Sequence, residues 1–198
     1  MTTKRIHLYS RFNRLWHWAQ AIIIFGLFYT GFEIHGTFHN MTYQSAVDWH
    51  NGLFWALLIL VAFAVFWHIT TGQWRQYIPT TRHLVDMIRF YAVGIFKGER
   101  HPTKKTELSK LNPLQRLTYL GLKILIFPVQ LGSGLAYYYY NELEAAGFPL
   151  SLGTVAFLHV AAAFCILIFV VAHVYLTTTG HTLTSNIKAM ITGWEEVE

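Results

Sequence analysis

The sequence is poor in charge. Only 13% of its 198 residues are Asp, Glu, Lys or Arg, against about 25% in a typical soluble domain. With 54% apolar and 17% aromatic residues, that deficit excludes a disordered chain, a collagen-like chain and an ordinary cytosolic enzyme. Cysteine is almost missing too. Cys165 stands alone, which excludes a disulfide scaffold, a cysteine-based zinc site, an iron–sulfur cluster and the C-x-x-C-H attachment of a c-type haem. The net charge of +5 matters less than where the charges fall.

What is present is long apolar runs. A transmembrane helix needs about 20 mostly apolar residues, because the hydrocarbon core is about 30 Å thick and the helix rises 1.5 Å per residue. Leu15 to Phe32 is 18 residues without a formal charge, Trp49 to Trp74 is 26, Leu117 to Asn141 is 25 with Lys123 alone, and Ala145 to Ile187 is 43. These runs predict a single all-α membrane domain over 1–198, a four-helix bundle with spans near 15–34, 50–72, 114–140 and 154–178.

Lysine and arginine concentrate in cytoplasmic loops. Lys4, Arg5, Arg11 and Arg14 precede span one, nine more lie from Arg75 to Arg116, and Lys188 lies in the tail. The connections Glu33–Asp48 and Asn141–Gly153 hold none. Both termini are therefore expected inside a bacterial cytoplasmic (inner) membrane, with Lys123 snorkelling toward the same face. No cleavable leader is expected, since the first apolar run is full length and no small-x-small site follows it. A nucleic-acid binder is excluded by the spans, and lipid is the expected surroundings. In the cytoplasmic loop 73–113, Leu84, Met87, Ile88, Tyr91 and Ile95 recur at helical spacing between Arg82, Asp86, Arg89 and Lys97. That pattern predicts an amphipathic surface helix, followed by a basic segment over 98–110.

The chemistry lies in the eleven histidines. An ionisable residue inside a membrane span points to function, because leaving it unpaired there is costly. His159 and His173 are 14 residues apart on span four, within about 40° of one another and about 21 Å apart along the axis. His17, at the start of span one, matches the height of His173; His50, at the start of span two, matches that of His159. Two cross-helix histidine pairs at two heights suit two bis-histidine b-type haems, with His17, His173, His50 and His159 as iron ligands. The competing explanation, polar contacts between helices, accounts for one such residue better than for four that pair by height. A non-haem metal would need further ligands at one height, and no carboxylate lies deep in any span. His68 competes with His17 as partner of His173, and His35 competes with His50 for the outer haem. His7, His39, His83, His101 and His181 lie on loops and termini and receive no role. Gly31, at the height of His159, offers a macrocycle clearance beside ordinary helix packing.

Arg14-x-x-His17-Trp18 opening span one, the run ending Thr30-Gly31, the His159/His173 pair, Asn112-Pro-Leu-Gln115-Arg116 and the tail from Thr179 to Glu196 resemble the bacterial dihaem cytochrome b superfamily. Its members include the membrane subunits of respiratory formate dehydrogenase, nickel–iron hydrogenase and thiosulfate reductase. The resemblance implies His17 with His173 at an inner haem and His50 with His159 at an outer one. It also implies a quinone site (menaquinone or ubiquinone) near the inner haem, with Asn112 in it, and Gln115, His173, His68 and Lys123 are further candidates near the ring. Asn112 is equally well placed to cap a helix before Pro113.

The expected function is electron transfer between a quinone near the cytoplasmic face and a periplasmic partner, an iron–sulfur or multihaem cytochrome subunit of a larger respiratory oxidoreductase. No catalytic residue is assigned on this chain. Two alternatives remain. One is a self-sufficient small cytochrome b that oxidises superoxide and reduces quinone, against which the long basic loop argues. The other is a non-redox anchor or transporter whose histidines bridge helices or relay protons.

Overall fold

The computed structural model describes residues 4–99, 102–103, 106, 110–180 and 182–197. His101, His181 and several of the basic residues expected in the 98–110 segment lie outside the described residues. The chain folds as α1 (Arg11–Ile34), α2 (Tyr43–Thr70), α3 (Leu84–Ala92), α4 (Pro113–Gly121), a π-helical turn at Leu122–Ile126, α5 (Phe127–Tyr138), α6 (Tyr140–Ala145), α7 (Leu152–Thr177) and α8 (Ser185–Thr192). Four helical stretches are long and apolar enough to cross a membrane: α1, α2, α4 through α5, and α7. The all-α integral membrane fold expected from hydropathy is the fold observed.

The largest boundary difference is at α2. The expected start near residue 50 was set by the charge of Asp48. The helix instead begins at Tyr43, where the Thr42 side chain caps it by accepting from the Ser45 N–H at 3.2 Å. Asp48 is exposed and accepts from Gln44 Nε2 at 2.9 Å, one turn back. His50 therefore lies seven residues inside the helix, about 10 Å along its axis, rather than at its first turn.

Residues group into two compact units: Met1–Ser10, Gly72–Pro128 and Cys165–Glu198 form one, and Arg11–Thr71 with Val129–Phe164 form the other. In the second unit α1 and α2 pack antiparallel. Phe12 stacks on Trp67 with ring centres 4.3 Å apart, and Trp16 stands edge-on to His68 at 5.3 Å. A Cβ on Gly26 would lie 2.8 Å from Leu53 Cδ1, so the tip of the Leu53 side chain packs against α1 at that glycine. Their connection is tied by Glu33, buried at the end of α1. Its carboxylate accepts from the Asn40 backbone N–H at 3.1 Å and from Asn40 Nδ2 at 2.9 Å.

The first unit contains a feature absent from the sequence reading. β1 (Lys4–His7) pairs antiparallel with β2 (Trp194–Val197), with Arg5 opposite Glu196 and His7 opposite Trp194. Gly193 makes the ribbon possible. It has φ +89°, and its carbonyl accepts from the Leu8 and Tyr9 N–H groups at 2.9 and 3.2 Å. A Cβ there would meet the Tyr9 carbonyl oxygen at 2.7 Å, so glycine is required both for the left-handed backbone and for the close approach. In the same unit α3 buries Met87 and Phe90. A helix forms where the loop pattern predicts one, but Ile88 of the predicted face is exposed, Phe90 is buried in addition, and the helix ends before Ile95.

Candidate functional site

Within one unit, His50 of α2 faces His159 of α7 with ring centres 6.3 Å apart and planes at 69°. Imidazole binds first-row metals at about 2 Å, and each ring nitrogen lies about 1.1 Å from its own ring centre, so two imidazoles on opposite sides of one metal have centres about 6 Å apart. The observed separation fits one metal between them. Both histidines are half-buried on long apolar helices, where neutral imidazole is a good ligand and a lone polar group a poor tenant.

The surroundings are polar only at the rings. Thr30 Oγ1 lies 2.8 Å from His50 Nδ1, and Ser133 Oγ lies 3.2 Å from His159 Nδ1. Gln130 Nε2 lies 3.3 and 3.2 Å from the two nitrogens of His159. Such nearly equal distances put it beside the ring and off the lone-pair axis of either nitrogen. Gln130 Oε1 is buried and has no hydrogen-bond partner among the described residues, which marks the spot as chemically incomplete. Each ring also has a glycine at its edge. A Cβ on Gly31 would lie 3.7 Å from His50 Cε1, and one on Gly134 would lie 3.4 Å from His159 Cε1 and 3.5 Å from Phe54. Tyr137 stands edge-on to His159 at 6.0 Å. Two opposed imidazoles, glycine edges and an aromatic wall fit a flat macrocycle that takes histidine on both faces. Among the described residues no three His, Cys, Asp or Glu side chains gather to hold a metal ion.

The structure thus brings His50 and His159 together. His35 is exposed beyond the end of α1. His68 directs Nδ1 to the Ala64 carbonyl at 2.6 Å, one turn back on its own helix. His17 stands edge-on to Trp18 at 5.2 Å. His173 lies in the other unit.

In that unit His173 stacks on Phe169, with centres 5.7 Å apart and planes at 17°. Phe169 meets Tyr119 at 5.8 Å, and Tyr119 meets Tyr77 at 6.5 Å. The Lys123 ammonium lies 3.2 Å from the Tyr77 ring centre, a cation–π contact. Lys123 sits in the π-helical turn, a distortion that recurs at functional sites and re-aims side chains. Burial, with Tyr119 adding to it, pushes the Tyr77 phenol up to about 12. Tyr9 is also raised, by burial first and then by Glu195, Tyr119 and Tyr77. These phenols stay protonated near neutral pH and are neutral O–H donors. The sequence suggests Lys123 both as a snorkelling side chain and as a residue near a quinone ring, and gives no signal for Tyr77 or Tyr119. Three tyrosines on three segments carry no spacing that would signal their meeting.

Asn112 and Gln115 form a complete capping box. Asn112 Oδ1 accepts from the Gln115 N–H at 2.8 Å, and Gln115 Oε1 accepts from the Asn112 N–H at 3.0 Å, with Pro113 opening α4. Asn112 Nδ2 also donates to the Tyr91 hydroxyl at 3.2 Å, which joins α4 to α3. Asn112→Ala removes both bonds and is expected to destabilise the protein by about 1 kcal/mol. Thermal unfolding in detergent measures this, and Asn112→Asp, which keeps the cap, should recover most of the loss.

A sequence model of the family described as prokaryotic cytochrome b561 matches residues 8–193. The chain is also similar to “Putative cytochrome YdhU” of Escherichia coli (strain K12), with 32% identity over 196 residues that cover 96% of this chain and 75% of that protein. No solved structure matches the chain.

Proposed function

The chain belongs to the prokaryotic cytochrome b561 family, so it is a multi-pass bacterial membrane protein of b-type haem electron transfer, and from that premise we propose that it carries electrons between a quinone and a periplasmic redox partner. The observation that carries the proposal is the opposition of His50 and His159 at 6.3 Å. His50 and His159 would hold an outer haem, and His17 and His173 are proposed from their heights in the sequence as ligands of an inner one. Haem held by a histidine from each of two helices would supply one-electron oxidation and reduction, and two histidine ligands favour electron transfer over substrate chemistry at the metal.

The residues around His173 suit a quinone, menaquinone or ubiquinone. Lys123 offers a positive charge, Tyr77 and Tyr119 offer neutral O–H donors, and Phe169 links that cluster to the His173 ring. Such a wall can hydrogen-bond quinone oxygens and deliver the protons that its reduction consumes. Asn112 would shape the same region through Tyr91, and Gln115 and His68 are proposed contributors on the sequence alone. The charge distribution supports a proposed orientation with both termini in the cytoplasm and the outer haem toward the periplasm. There an iron–sulfur or multihaem cytochrome subunit of a larger respiratory oxidoreductase would dock, as in the formate dehydrogenase and hydrogenase type.

The test is a pyridine haemochrome assay on the purified chain, with visible spectra before and after addition of a short-chain quinol. Two b-type haems per chain, reduced by the quinol, are expected. One haem per chain would overturn the two-site proposal, and two haems inert to every quinol would overturn the quinone assignment.

A further inference from the structure

Each of the two opposed histidines is held from behind by a helical hydroxyl, and the two arrangements match. Thr30 Oγ1 lies 2.9 Å from the Gly26 carbonyl oxygen, one turn back on α1, and 2.8 Å from His50 Nδ1. Ser133 Oγ lies 3.1 Å from the Gln130 carbonyl oxygen, three residues back on α5, and 3.2 Å from His159 Nδ1. A hydroxyl has one proton to give and lone pairs to receive with. A carbonyl oxygen can only accept, so the hydroxyl proton goes to the carbonyl and the hydroxyl oxygen accepts from the imidazole. That assigns the proton of each ring to Nδ1 and leaves the lone pair of each Nε2 uncommitted to a proton. Thr30 is 3% exposed and Ser133 8%, so water does not compete for these bonds.

We propose that Thr30 and Ser133 are positioning residues that lock His50 and His159 as Nδ1–H tautomers, present both Nε2 atoms as axial donors and set the potential of the outer haem. The inference rests on the haem reading of this histidine pair. Its physical content is separate. A ligating histidine whose other N–H is accepted by an oxygen is a more basic ligand, and a more basic ligand favours the ferric state, which carries the greater positive charge. The two relays come from different helices, α1 and α5, onto ligands on α2 and α7. Neither hydroxyl follows from the ligand spacing, and nothing in the family match assigns them a role.

The experiment is a redox titration of Thr30→Val and Ser133→Ala, followed in the visible spectrum and by resonance Raman, with Thr30→Ser as the conservative control. In both variants one and the same haem signal should rise in potential. A tenfold change in its one-electron reduction constant corresponds to 59 mV. Thr30→Ser should titrate as the parent protein. Loss of that haem from Thr30→Val with retention in Thr30→Ser would support the same assignment. Unchanged potentials and iron–histidine bands in Thr30→Val and Ser133→Ala would overturn it, as would a Thr30→Ser variant that behaves like Thr30→Val. Failure of the haem reading looks different. The parent protein would then lack the haem that His159→Ala should remove, and nitrogen-15 shifts of His50 and His159 would still report whether Nδ1 carries the proton.

Discussion

On the proposed two-haem arrangement, His159→Ala is expected to remove one haem and leave the other, and His50→Ala is expected to remove the same one. Haemochrome content should fall from two per chain to one in either variant, with the surviving signal at its original potential. The reason is geometric. The two rings face each other at 6.3 Å, a separation for one metal between two imidazoles, and losing either would leave a haem there held by a single histidine. The double variant should lose no more haem than each single one, because the two residues serve one group. His35→Ala should retain both haems, since His35 is exposed and lies outside the pair. If His50→Ala and His159→Ala remove different haems, the pairing is wrong; if His35→Ala removes the outer one, the ligand is misassigned.

On the proposed quinone assignment, Lys123→Met is expected to slow quinol-driven haem reduction at least tenfold while leaving the haem content unchanged. Methionine keeps a flexible stem of similar reach and removes only the charge. A positioned proton donor or acceptor contributes about 10²–10⁴-fold to a rate, and ten is the floor expected where Tyr77 and Tyr119 can share the work. Tyr77→Phe should have a smaller effect, because it keeps the aromatic face under the ammonium and loses only the hydroxyl. Stopped-flow reduction by quinol, compared with reduction by dithionite, separates the two steps: only the quinol rate should fall. Full quinol turnover in Lys123→Met would reduce Lys123 to a snorkelling side chain.

The α4 cap was legible in the chain. Asn112-Pro113-x-Gln115 is a capping signature that depends on residues three apart, and the structure realises both bonds. The amphipathic loop helix was legible only in part: the spacing predicts Met87 inside, and it is buried, but Ile88 of the same pattern is exposed while Phe90, outside it, is buried. The start of α2 was not. Asp48 read as a boundary, yet a charged side chain on an exposed helical face at a span end disturbs nothing, and the cap at Thr42 set the helix start. The β1–β2 ribbon was not legible either. Four-residue strands have no stability alone, and these two find each other across nearly the whole chain. Nor did the chain announce Thr30 and Ser133. Hydroxyls within apolar helices commonly bond the preceding turn, and only the position of the imidazoles shows that these two do more.

The sequence by itself determined the four apolar helices, the segregation of basic charge and the histidines set among them, because a bilayer requires length and apolarity of every span and penalises each buried ionisable group. The heights of those histidines follow from the fixed rise of the helix. The tertiary structure decided that His50 faces His159, that Thr30 and Ser133 stand behind that pair, and that Lys123 rests on Tyr77. Contacts of that kind depend on how each helix is rotated about its axis and on where it begins. Packing sets both, through features such as Gly26 against Leu53 and the cap at Thr42, and no periodicity along the chain encodes them.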